Sequence, residues 1–188
     1  MTMKSQDVVI LMKLASLQEQ ELSDSESAST AKEDPFSVRG LESSLGISKT
    51  EVSSSLKRSV ESGLAIREGD SNRVKLNRRD LYNFIVYGLK FVFPVKPGAM
   101  SRGISTAFAA PVLEGLVMSA GEYIYVWPYA HGKEMGQSIE PLFKSVPEAV
   151  QKDACLYEYL ALIDAIRLGK QRETNIAVKE LEKRLILK

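Results

Sequence analysis

Apolar residues recur at helical spacing close to the start of the chain. Val8, Ile10, Leu11, Leu14 and Ala15, with Asp7 at the front, predict an amphipathic helix over residues 5–16 with a broad apolar face. The pattern then lapses. Residues 18–35, QEQELSDSESASTAKEDP, carry almost no large apolar side chain. Such a stretch buries too little surface to offset its ordering entropy, and a mobile loop or a fraying helix is expected. From residue 36 the apolar spacing resumes. Phe36, Val38, Leu41 and Leu45 predict a short helix that Gly46 closes, because glycine accepts the left-handed backbone that follows a helix. Ile47 turns inward. Ser48, with Glu51 three residues later, reads as a capping box for a second helix. Val52, Leu56 and Val60 give that helix one narrow buried stripe, and Gly63 ends it. Leu64 and Ile66, then Val74 and Leu76, alternate on either side of EGDSN and predict a β-hairpin.

Beyond the hairpin, LYNFIVYGLKFVF from residue 81 predicts an amphipathic helix stopped by Pro94. Residues 94–147 are broken by Gly, Pro and small side chains, with YIYVWP as a strand stopped by Pro128. Their length and irregularity exceed what a linker needs. The last region is helical again. Leu156, Tyr159, Leu160, Ile163 and Ile166 make one apolar face, and Ile176, Leu181, Leu185 and Ile186 another, with a break at Gly169. The expected class is mainly α with a small β component. Residues 1–80 form one unit interrupted by the acidic insert at 18–35, and residues 81–188 an irregular and helical second unit.

Charge sharpens this picture. The whole chain carries a formal net charge of only +1, so any affinity for a polyanion must come from local asymmetry. The insert holds six acids (Glu19, Glu21, Asp24, Glu26, Glu33, Asp34) against Lys32, a net of −5. Residues 36–80 hold nine bases and six acids, a net of +3. Helix, tight turn, helix and hairpin is the order of a winged helix-turn-helix, whose second helix enters the DNA major groove. With Val52, Leu56 and Val60 turned inward, Lys49, Thr50, Ser53, Ser54, Lys57 and Arg58 are expected outward, with Ser48 at the helix start. Short hydroxyls allow close approach to bases, and the cations reach phosphates. Arg67, Arg73 and Lys75 on the hairpin are expected to add backbone contacts.

LESSLGISKTEVSSSLKRSVESGLAIRE resembles the helix-turn-helix and first wing strand of MarR-like winged-helix transcription regulators. The likeness rests on LGIS before the second helix, the Val52/Leu56/Val60 triplet and SGL before the hairpin. Two departures stand out. Glu42 occupies a position where such motifs usually carry a small residue, and the acidic insert is long. SRGISTAFAAPVLEG, the Trp-Pro strand end and DAIRLGKQRE are similar to bacterial winged-helix proteins of unassigned function. What the resemblance implies is a sequence-specific regulator of double-stranded DNA, acting as a dimeric repressor controlled by a partner protein or a small ligand. A winged-helix adaptor, or an antitoxin-like autorepressor working through protein contacts, is the alternative.

The remaining chemistry is sparse. His131 is the only histidine and sits in a Gly-rich loop, which argues against a metal site. Cys155, the only cysteine, heads an apolar helical face and reads as a core residue. Tyr123, Tyr125, Trp127 and Tyr129 alternate and read as core, or as the wall of a pocket. Arg102 beside Gly103 is a weak anion candidate. No nucleophile elbow, phosphate-cradling loop or H-E-x-x-H is present. Neither an enzyme nor a cofactor is expected. No apolar run reaches membrane-spanning length and the N-terminus lacks a signal-peptide pattern, so a cytoplasmic protein is expected. The broad apolar faces of the first and last helices predict a homodimer, with Glu180 and Arg184 on an exposed flank.

Overall fold

The computed structural model describes residues 2–24, 33–117 and 123–188. The protein is mainly α with a small β component. The middle of the acidic insert, residues 25–32, lies outside the described residues.

Helix α1 (Ser5–Ser23) is longer than expected and runs six residues into the acidic stretch, from Gln18 to Ser23. Its apolar residues do not form one face. Every residue from Asp7 to Leu17 is buried, so α1 is a central helix surrounded by the rest of the chain. Burial of an aliphatic side chain stabilises by about 1.5–3 kcal/mol. The row Val8, Ile10, Leu11, Met12 and Leu14 therefore outweighs capping effects of about 1 kcal/mol. This corrects one basis for the expected dimer, because the apolar surface of α1 is covered within a single chain.

Helix α2 (Val38–Leu45) starts after the Ser37 cap, whose hydroxyl accepts from the Gly40 N–H at 3.0 Å. It ends at Gly46, in the left-handed conformation at φ 67°. Helix α3 (Lys49–Glu61) follows at once. Strands β1 (Ala65–Glu68) and β2 (Arg73–Leu76) pair antiparallel as the predicted hairpin, with Ala65 opposite Leu76. The expected long helix at 81–93 is two: α4 (Arg78–Tyr87) and a single turn, α5 (Leu89–Val92), divided at Gly88.

Residues 94–147 hold more order than their composition suggests. Strands β3 (Met100–Thr106), β4 (Tyr125–Pro128) and β5 (Glu134–Ser138) each pair with both others, so three short strands close on themselves. β3 is antiparallel to both neighbours, while β4 and β5 run parallel. Gly103 is the crossing point, opposite Pro128 on one side and Glu134 on the other. A Cβ there would stand 2.0 Å from the Trp127 carbonyl oxygen, so only glycine permits the closure. Tyr125 and Trp127 point into the core, whereas Tyr123 is exposed.

A single turn, α6 (Val146–Ala149), leads to α7 (Ala154–Leu168) and α8 (Gln171–Leu185), with Gly169 between them as expected. α7 is buried almost all round. Its carboxylate Asp164 accepts from Trp127 Nε1 at 2.7 Å, Thr106 Oγ1 at 2.9 Å and Arg167 Nη1 at 2.9 Å. Arg184 of α8 is half-buried rather than an exposed flank. It bonds Glu180 at 2.7 Å and reaches Glu158 of α7 at 2.9 Å.

The core is continuous across residue 80, where the sequence places a domain boundary. α1 packs on α3 and β2 on one side and on α7 on the other. Two polar links reinforce this. Lys13 and Ser16 of α1 bond Asp153, the cap of α7, at 2.7 and 2.8 Å. Ser145 donates to the Leu45 carbonyl at 2.5 Å and so clasps the turn between α2 and α3.

Candidate nucleic-acid interface

α3 begins where Ser48 accepts from the Glu51 N–H at 3.4 Å. The second half of the expected capping box is absent. The Glu51 carboxylate instead meets Arg58 at 2.6 Å and Lys4 at 3.2 Å. Glu42, the residue that departs from the family pattern, reaches over the turn and accepts from the Lys49 N–H at 3.3 Å. The first N–H of α3 is thereby satisfied from within the chain.

The buried side of α3 is Val52, Ser55, Leu56 and Ser59, packed on α1; Val60 is only half-buried. Ser55 and Ser59 are fully buried, and their hydroxyls have no hydrogen-bond partner among the described residues. At 100° per residue, Lys49, Thr50, Ser53 and Lys57 share the opposite side, and all four are exposed. Ser54 is half-buried at its edge, and Glu61, 4.0 Å from Lys57, is exposed on the same side.

Arg58 departs from the outward position expected of it. It lies on the flank of α3 facing the start of α1 and is 6% exposed. Its Nε and Nη2 grip the fully buried Asp7 carboxylate at 2.9 and 2.7 Å. Asp7 also accepts from the Lys4 backbone N–H at 2.9 Å. Buried and paired with Asp7 and Glu51, this guanidinium is not on the exposed side of α3. Asp7, and then Glu51, push the Arg58 pKa further above its ordinary value. Arg58 in turn holds the Glu51 carboxyl below the usual carboxylate range.

The hairpin divides similarly. Arg67 is exposed and donates to Asn72 Oδ1 at 2.6 Å. Lys75 is exposed, 3.9 Å from Glu68. Arg73 is folded back. Its guanidinium lies 3.5 Å above the Phe36 ring and its Nη2 meets both Glu21 carboxylate oxygens at 3.0 Å. A cleft of about 330 Å³ between α3 and the hairpin brings together Ser53, Arg67, Asn72 and Arg73. Asn72, in the left-handed conformation at φ 51°, is a member that charge counting passes over.

Of the ten residues read as DNA-contacting, Lys49, Thr50, Ser53, Lys57, Arg67 and Lys75 are exposed, as is Ser48 at the helix cap. Ser54 and Arg73 are half-buried, and Arg58 is occupied inside.

Elsewhere, Cys155 is half-buried and donates to Glu19 at 3.0 Å. Burial and the Glu19 carboxylate push its thiol up to about 12. Tyr159 donates to the same carboxylate, and burial drives its phenol up as well. His131 is exposed against Tyr129, and Arg102 Nη1 donates to the Gly132 carbonyl at 3.4 Å. Among the described residues no three His, Cys, Asp or Glu side chains gather as metal ligands, and no helix is long and apolar enough to cross a membrane. No protein family matches the chain, and no curated protein or solved structure is significantly similar to it.

Proposed function

We propose that the protein is a winged-helix regulator that binds double-stranded DNA in a sequence-dependent way and acts in the cytoplasm. The observation that carries this reading is the uncovered side of α3. Lys49, Thr50, Ser53 and Lys57 stay exposed on a helix whose other faces are packed into the core. The hairpin sets Arg67 beside Ser53 in the cleft, and carries Lys75 on its other face. α3 is the helix for the major groove, where Thr50 and Ser53 read base edges, while Lys49, Lys57, Arg67 and Lys75 meet phosphates. The cationic contacts are few, so one chain binds weakly and specific affinity calls for two copies on a two-fold site.

The second reading, a module working through protein contacts, has an observation of its own. Tyr87 and Phe91, one helical turn apart, are 72% and 73% exposed, with Val92 beside them at 51%. This surface suits a second copy of the chain or a partner protein.

Fluorescence anisotropy with duplexes from the protein's own upstream region, at several salt concentrations, tests the first reading. Affinity falls steeply with salt if phosphates are neutralised. Lys57→Ala weakens every duplex alike, whereas Thr50→Ala or Ser53→Ala changes the preference among sequences. Salt-insensitive binding, or a Lys57→Ala variant that binds as the parent does, removes it.

A further inference from the structure

One cleft lies away from α3 and has no part in the proposed DNA contact. Its volume is about 720 Å³, within the range of small-molecule sites. One wall is the 92–96 segment, from the last residue of α5 onward, and the other is the 140–144 segment after β5. Val92, Phe93, Leu142 and Phe143 supply apolar lining beside charged and polar residues. At its back stands Arg167, 8% exposed.

Arg167 is held rigidly. Its Nε donates to the Phe93 carbonyl at 2.9 Å and its Nη1 to Asp164 at 2.9 Å. Its Nη2 has no acceptor among the described residues. With Nε and Nη1 committed, the guanidinium is fixed in place on the cleft lining and Nη2 remains as a charged donor for an anion. Lys96 and Lys144 line the two walls, and Glu140 is the one carboxylate among the described lining residues. Ser5, the first residue of α1, is also on the lining, where a helix's opening N–H groups lack intrahelical partners.

From this geometry we infer that the cleft binds a small amphipathic anion: an apolar or aromatic body between Phe93 and Phe143, with a carboxylate or phosphate against Arg167, Lys96 and Lys144. The site stands whether or not α3 binds DNA.

Trp127 supplies the test. It is the only tryptophan, and its indole N–H is bonded to the same Asp164 that holds Arg167. The indole cross-peak of the ¹⁵N-labelled full chain is followed during titration with sodium phenylphosphate, sodium benzoate, inorganic phosphate and benzyl alcohol, at constant ionic strength. A saturable shift with phenylphosphate or benzoate is expected, and the tighter of the two identifies the headgroup. Lys96→Glu and Lys144→Glu, on the cleft walls, avoid stranding Asp164 as an Arg167 variant would. Each is expected to weaken binding about tenfold or more. The inference is overturned if neither aryl anion gives a saturable shift, or if benzyl alcohol or inorganic phosphate matches them. It is equally overturned if both charge reversals leave the affinity unchanged.

Discussion

Lys57 and Arg58 are adjacent in the chain and opposite in role. Lys57 is 64% exposed, while Arg58 is closed over Asp7. Arg58→Met leaves a buried carboxylate without its partner, a change that costs about 3–5 kcal/mol. Urea denaturation should record that loss, while Lys57→Ala stays within about 0.5 kcal/mol of the parent. An Arg58 variant that loses DNA binding would therefore report lost folding rather than a lost phosphate contact. Ser55 and Ser59 have the opposite sign. Each buries a hydroxyl with no partner among the described residues, a cost of about 1–3 kcal/mol in general. Ser55→Ala and Ser59→Ala are expected to leave the melting temperature unchanged or to raise it. At this scale the sequence was legible where periodicity alone decides, as with Val52, Leu56 and the exposed Lys49, Ser53 and Lys57. It was not legible for Arg58 and Arg73. Their direction depends on Asp7 and Glu21, acids 51 and 52 positions away in sequence.

Among the elements, local punctuation gave away the hairpin, the α2–α3 turn and the α7–α8 break, since Gly46, EGDSN and Gly169 act on their immediate neighbours. The β3–β4–β5 closure is not legible because its strands are short and defined only by pairing with one another. Gly103→Ala tests that closure. Its Cβ would overlap the Trp127 carbonyl, so the near-ultraviolet signal of Trp127 should collapse, together with several kcal/mol of stability. The start of α7 carries a pH dependence. Burial by itself would raise the Asp153 carboxyl, but Lys13, the Leu156 N–H and Ser16 together hold it below its ordinary value of 3.8. A carboxyl depressed in the folded state stabilises above its unfolded pKa and loses that contribution as pH falls through the folded value. Thermal stability should therefore decline on acidification below about pH 4. Asp153→Asn flattens that part of the profile.

For the molecule as a whole, α1 is the decisive element. It lies beneath α3 and β2 on one side and α7 on the other, so both halves of the chain complete their cores on the same helix. A fragment of residues 1–80 keeps every residue of the proposed DNA-binding motif. It nevertheless exposes the side of α1 that α7 covers. It should give poorly dispersed amide resonances and a broad, weakly cooperative melt. A fragment that melts as sharply as the full chain would show instead that residues 1–80 are self-sufficient.

The Ser145 hydroxyl on the Leu45 carbonyl has a corollary for the angle at which α3 is presented. The corner between α2 and α3 is buttressed by a segment a hundred residues downstream, so that corner is not governed by its own motif alone. Two proteins identical over residues 36–76 but different around residue 145 would present the same side chains of α3 at different tilts.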